Sequence, residues 1–162
     1  MNRLITRELL VHLKEQFVLD WHGIHGVRHW ARVRRNGLML ARHTGANTRV
    51  IELFAFLHDS RRQHDGHDLD HGYRAAEFAQ RLHGRYFALQ PAELDLLVEA
   101  CSGHSEGGTQ AGRTVATCWD ADRLDLGRVG IRPHPEFLCT ETARQPQVIE
   151  ACYLRSLDGT TI

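Results

Sequence analysis

The stretch Leu53-Phe54-Ala55-Phe56-Leu57-His58-Asp59-Ser60-Arg61-Arg62 is apolar on every side up to Leu57 and then turns polar. Such a run makes a buried helix. A buried helix that ends in two metal-competent side chains needs a reason for carrying them, because an unsatisfied imidazole or carboxylate destabilises a core. A bound metal ion is the first reason to consider. The dipeptide alone says little, since His64-Asp65 and His67-Asp68 occur in a polar loop around Gly66. Only His58-Asp59 is delivered by a hydrophobic helix. Successive helical residues diverge by about 100°, so adjacent ligands of one ion belong at a helix end, which the polar run after Ser60 supplies.

Around this segment, 162 residues with 42% apolar and 25% charged side chains define one globular domain, residues 1–162. A formal net charge of zero gives no global field for nucleic acid or an anionic membrane, so neither is an expected partner and anion recognition must be local. Lys14 is the single lysine among 20 basic residues, which leaves arginine as the phosphate-binding side chain and excludes Schiff-base chemistry; a P-loop is also absent. Cys101, Cys118, Cys139 and Cys152 form no CxxC pair and read as reduced thiols. Arg3, Arg7 and Glu8 interrupt Met1 to Leu10, and no apolar run approaches membrane-spanning length. A cytoplasmic protein is expected.

The apolar phase predicts a first helix within residues 3–19, with Ile5, Leu9, Leu13, Gln16 and Phe17 inward. A second spans about His25 to His43 with Trp30, Val33, Gly37, Leu40 and Ala41 inward and a stop at Thr44-Gly45. His29 falls at the edge of that stripe, and Arg28, Arg32, Arg35 and Arg42 lie opposite, as a phosphate-binding row or, more commonly for such a row, a solvated face. The third helix, capped near Asn47 or Thr48, is the one quoted above. After a polar loop to Asp70, a fourth helix carries Ala75, Phe78, Ala79 and Leu82 in phase with His71. Gln90-Pro91 opens a fifth, where Leu94, Leu97, Val98 and Cys101 share their phase with His104. A sixth, from about Arg113, sets Val115, Cys118, Trp119, Asp122 and Leu126 on one face. Asp120 lies roughly 160° from Asp122 around that helix, where it is expected to support the site from behind its ligands. A helical pattern over Thr140 to Leu157 closes the chain. With no β-alternation, the expectation is an all-α, single-domain helical bundle.

His29, His58, His71, His104 and Asp122 thus lie on or beside apolar stripes, and Asp59 adjoins one of them. A lone histidine on such a face is usually a hydrogen-bonded core residue. Four histidines and two aspartates from five helices or helix ends are harder to bury one by one, whereas shared metal coordination satisfies them together. Imidazole and carboxylate without thiolate suit Mn, Fe, Co, Ni or Zn, as one or two divalent ions.

The chain here resembles the HD superfamily of metal-dependent phosphohydrolases, whose pattern is a histidine, a His-Asp doublet and a distant aspartate. His29-Trp30-Ala31-Arg32-Val33, Phe56-Leu57-His58-Asp59-Ser60-Arg61-Arg62 and Asp120-Ala121-Asp122-Arg123-Leu124-Asp125 look like its three motifs, within a core of about residues 20–130; residues 131–162 would form a closing helix and tail. The resemblance implies a bundle of the HD-domain type with His29, His58, Asp59 and Asp122 as ligands of one ion. His71 and His104 look like the extra histidines of two-metal subfamilies; the Gly-Tyr-Pro motif of the cyclic-dinucleotide group is missing.

The function expected from this resemblance is phosphohydrolysis of a small phosphorylated molecule, a nucleotide among the candidates, by metal-activated water. Asp59 is central, Arg62 is the first phosphate clamp and Arg61 the second. Asp59, Asp65, Asp68 and Asp70 are available to orient water, and His25 is expected to support a ligand or line the pocket. Two other classes fit the same residues. They are a di-iron oxygenase and a regulatory module that binds metal and nucleotide without turnover.

Overall fold

In the computed structural model, which describes residues 3–157, α1 (Arg7–Gln16) starts where the Thr6 side chain accepts a hydrogen bond from Leu9 N at 3.1 Å. This helix is shorter than expected: Phe17 is extended although buried, and Gln16 faces solvent instead of the core. α2 (Val27–Thr44) buries His29 together with Trp30, Val33, Gly37, Leu40 and Ala41, and stops at Gly45, whose φ of 69° favours glycine. α3 (Thr48–Leu57) begins at Asn47, whose side chain accepts from Arg49 N and Val50 N. Its residues from Leu53 to Leu57 are all buried.

α3 is the middle of the molecule. It contacts α2, α4 (His71–Leu82), α5 (Pro91–Gly103) and α6 (Arg113–Arg123), which explains why it is apolar all round. α2 approaches α3 so closely that a Cβ on Gly37 would lie 2.5 Å from Ile51 Cγ2. α5 opens with a reciprocal Gln90–Glu93 capping box and Pro91 in its first turn. Leu126, expected on the sixth helix, falls instead in the 3-10 turn Leu126–Val129, because α6 ends at Arg123.

The closing pattern over Thr140 to Leu157 is two helices, α7 (Glu141–Arg144) and α8 (Pro146–Leu157). They part at Gln145, which is extended because a residue before proline disfavours helical backbone. With Leu40, Leu124 and Leu138, the residues Ala143, Ile149 and Cys152 make a small second core beside the main one. Residues 1–2 of the expected domain and 158–162 of its expected tail lie outside the described residues. The architecture is all-α, with no strand among the described residues, as expected. No helix among them is long and apolar enough to cross a membrane.

Asp120 does something other than support the site. Its fully buried carboxylate accepts hydrogen bonds from Cys139 N (2.7 Å), Thr140 N (2.8 Å) and Thr140 Oγ1 (2.7 Å), which ties α6 to the start of α7. The sequence expectation is corrected accordingly. Asp120→Asn should lower unfolding free energy by roughly 2–3 kcal/mol, because an amide N–H would then face backbone donors. Bound metal should stay unchanged, a combination that denaturant unfolding with metal analysis checks.

Candidate metal centre

Helix ends bring the ligands together. His58 sits at the C-cap of α3 and Asp59 follows it; His71 is the first residue of α4, His104 the C-cap of α5, and Asp122 lies in the last turn of α6. His29 comes from the first turn of α2. All six predicted ligands converge on one place, and all but the partly exposed Asp122 are buried.

Four atoms form the first group. His29 Nε2 lies 3.1 Å from His58 Nε2, 3.3 Å from Asp122 Oδ1 and 3.5 Å from Asp59 Oδ2. His58 Nε2 lies 3.5 Å from Asp122 Oδ1 and 3.6 Å from Asp59 Oδ2. Four ligand atoms about 2.1 Å from one ion in a tetrahedral set are about 3.4 Å apart. The second group uses the other carboxylate oxygen: Asp59 Oδ1 is 3.2 Å from His71 Nε2 and 3.4 Å from His104 Nε2, which are 2.8 Å from each other.

The protonation of the rings follows from their outer nitrogens. His29 Nδ1 donates to Asp125 Oδ2 at 2.7 Å, His58 Nδ1 to the carbonyls of Phe54 and Ala55 at 3.0 and 3.1 Å, His71 Nδ1 to the Asp68 carbonyl at 2.5 Å, and His104 Nδ1 to the Cys101 carbonyl at 2.7 Å. Each of these acceptors has no proton to offer, so each Nδ1 carries one. In the neutral rings every Nε2 then presents a lone pair to the same space. Facing lone pairs cannot bond to each other, so the cluster needs positive charge between them, and its donor set could hold a divalent ion.

The electrostatics agree. Burial and Arg128 push the His29 pKa down, but hydrogen bonds to Asp122, Asp125 and Asp59 outweigh them and raise it to about 9. Against burial, the charge of His58 and hydrogen bonds from His104, His25 and His29 hold Asp59 well below the usual carboxylate range. Asp122 is also held well below it, where bonds from His29 and His58 overcome burial. Burial raises the pKa of all four cysteine thiols, which leaves them inert.

Arg62 lies at the site, with Nε 3.3 Å from Asp59 Oδ1 and Nη1 bonded to the carbonyls of His64 and Gly66. Arg61 does not join it. Its guanidinium lies over the Phe78 ring and donates to the Gln16 carbonyl, away from the cavity that Asp59, Arg62, His71, His104 and Asp122 line. His25 supports Asp59, with Nδ1 3.0 Å from Asp59 Oδ2 and Nε2 3.2 Å from the Asp65 carbonyl. Asp68 is occupied by Arg74 and by Gln63 N, and its carbonyl orients His71.

Sequence reasoning missed Asp125, which holds His29 and is itself held by Arg32 Nε at 2.6 Å. Its place one turn after Asp122 was the available signal. Arg32, read as part of a solvated face, is therefore half of an ion pair with a buried carboxylate.

No family model matches the sequence, and no curated protein does. Among solved structures, the fold is similar to that of a predicted HD superfamily hydrolase from an uncultured Thermotogales bacterium. The TM-score is 0.69 at 26% sequence identity, covering 94% of this chain and 87% of that one. The chain has the HD-domain fold, and the resemblance drawn from its three motifs is borne out.

Two predictions follow from the cluster. His58→Ala and Asp59→Ala should lose most bound transition metal, whereas His64→Ala and Asp65→Ala should retain it. Asp125→Asn should weaken metal affinity about 10–100-fold by freeing the His29 ring; elemental analysis and metal titration read both.

A further prediction concerns pH. A His29 pKa raised above its ordinary 6.5 stabilises the metal-free fold fully below pH 6.5, and that contribution is lost as pH rises through about 9. Chelator-treated protein should therefore melt at lower temperature at pH 9.5 than at pH 6.5. The gain in Tm on adding metal should grow over the same interval as the ion replaces the proton. A gain that stays flat would contradict a shared site for proton and metal.

Proposed function

We propose that the protein is a metal-dependent phosphohydrolase acting on a small phosphorylated molecule. One observation carries this reading: the two oxygens of buried Asp59 face two separate histidine groups, His29 with His58 and His71 with His104, beside a fixed guanidinium. The solved relative is described as a predicted hydrolase, which supports hydrolysis at a coarse level.

His29, His58, Asp59 and Asp122 would hold one ion, and His71, His104 and Asp59 a second, with Mn, Fe, Co, Ni or Zn all compatible with the donors. Bound divalent metal supplies an activated water and a Lewis acid for phosphoryl oxygens. The chain supplies the rest. Backbone carbonyls and Asp125 hold the imidazoles in one tautomer, so the site needs no reorganisation when substrate arrives. Arg62 is held at the cavity by three acceptors and neutralises charge on a phosphoryl oxygen. Asp65 and Asp70 are exposed and Asp68 is engaged by Arg74, so orientation of water falls to Asp59 or Asp122.

A cavity of about 300 Å³ is at the lower end for small-molecule sites, which favours a compact phosphate ester or mononucleotide over a polymer. The same donors would accept two iron ions for oxygen chemistry, but the arginines that line the cavity favour an anion. A screen of phosphomonoesters, phosphodiesters and nucleotides with each metal tests the reading. Product formation is expected with at least one class, and oxygen consumption or ligand-induced stabilisation without product would favour the alternatives. The double variant His71→Ala, His104→Ala should reduce metal stoichiometry from two to one; unchanged stoichiometry with raised KM would make these histidines substrate contacts.

A further inference from the structure

Three guanidiniums line the cavity beside the cluster; Arg62 is held by a carboxylate and carbonyls, Arg128 and Arg123 by neutral acceptors alone. Arg62 uses Nε and Nη1 on Asp59 and on two carbonyls. Arg128 uses Nε on the Ile24 carbonyl at 2.9 Å and Nη1 on the Asp125 carbonyl at 3.0 Å. Arg123 uses Nη1 on the carbonyls of Gly108 and Phe137 at 2.6 and 2.9 Å. In all three, Nη2 makes no hydrogen bond among the described residues, and that of Arg123 is buried.

Arg128 and Arg123 are each about nine-tenths buried, and neither has a carboxylate at hydrogen-bond distance; the nearest approach is Arg128 Nη2 to Asp122 Oδ1 at 3.9 Å. A buried guanidinium fixed by neutral carbonyls keeps its whole charge and retains unused donors, an arrangement that an incoming anion satisfies. Arg62 and Arg128 flank the cluster from opposite halves. Arg62 lies on the Asp59 oxygen that faces His71 and His104, and Arg128 lies beside the Asp122 oxygen that faces His29 and His58.

Charge bears on how much anion this cavity takes. Its ionised lining is Asp59 and Asp122 against Arg62, Arg123 and Arg128, an excess of one positive charge before any metal is counted. A phosphomonoester brings about two negative charges, fewer than this lining presents once a divalent ion is added. Its three terminal oxygens are also few for metal, Arg62 and two further guanidiniums together.

We propose that Arg128 and Arg123 form a second anion subsite, so that the substrate carries two phosphoryl groups, one over the cluster and Arg62 and the other on this arginine pair. The proposal rests on the phosphohydrolase reading and adds the substrate class. Arg128 and Arg123 are positioning residues for the part of the substrate that is not cleaved.

The test is calorimetric titration of manganese-loaded protein with orthophosphate and with methylenediphosphonate, whose bridge resists hydrolysis. Bound manganese is measured before and after, so that extraction is not scored as binding. Wild-type protein should bind methylenediphosphonate at least tenfold more tightly than orthophosphate. Arg128→Gln should reduce that ratio below about threefold by weakening methylenediphosphonate more than orthophosphate; Arg128→Lys should keep part of it, and the exposed Arg42→Gln all of it. Equal affinity of wild-type protein for the two anions overturns the subsite without requiring any variant to fold. A folded Arg128→Gln protein that keeps the full preference overturns it as well. If phosphomonoester hydrolysis proceeds in either case, the phosphohydrolase reading survives alone; if neither anion binds, both fall.

Discussion

The carboxylate of Asp59 is the constraint on which the rest of the structure turns. It is nearly inaccessible to water, and Oδ2 faces His25, His29 and His58 while Oδ1 faces Arg62, His71 and His104. These partners arrive from the loop before α2, from α2, from the end of α3, from the loop after it, and from α4 and α5. A lone buried carboxylate would be strongly destabilising. Here the helices are arranged so that it is never alone. The apolar completeness of α3 serves the same end, because only a helix surrounded by four others can deliver its C-terminus to the centre of the molecule.

Around that carboxylate the fold aims lone pairs at one another. Four imidazoles donate outward to acceptors that the backbone or Asp125 provides, and their inner nitrogens converge on Asp59 and Asp122, where a shared proton or a metal ion satisfies them. The pairs Arg32–Asp125 and Arg74–Asp68 stand one layer further out and fix the groups that fix the rings. The rigidity of the site therefore comes from hydrogen bonds in series, and loss of an outer member should be felt at the inner one. The arginines of the cavity follow the same logic with the opposite sign. Neutral carbonyls hold Arg123 and Arg128, so their charge remains available to an anion.

The C-terminal helices contribute indirectly. Asp120 ties α6 to residues 139–140, and Arg123 of the same helix reaches the Phe137 carbonyl. The closing element is thereby attached to the helix that also carries Asp122. That attachment sets where the cavity wall near Phe137 stands.

Much of this was legible in the amino-acid order. Helical phase alone placed His29, His58, His71, His104 and Asp122 on buried stripes, because the 3.6-residue period converts sequence spacing into direction. The stop at Gly45 and the proline start at Gln90-Pro91 are local chemistry and were readable as such. What phase cannot report is which partner meets a side chain across the bundle. Phase set Asp120 apart from Asp122, yet only packing decided that Asp120 anchors the backbone amides of Cys139 and Thr140. Arg32 read as solvated because its own helix turns it outward, while the carboxylate it meets lies 93 residues away. Arg62 and Arg61 were both expected as clamps, first and second; the turn after α3 sends Arg62 to Asp59 and Arg61 to the Phe78 ring. Direction from a helix axis is a local property and is written in the sequence, whereas distance between helices is set by the whole core and exists only once the chain has folded.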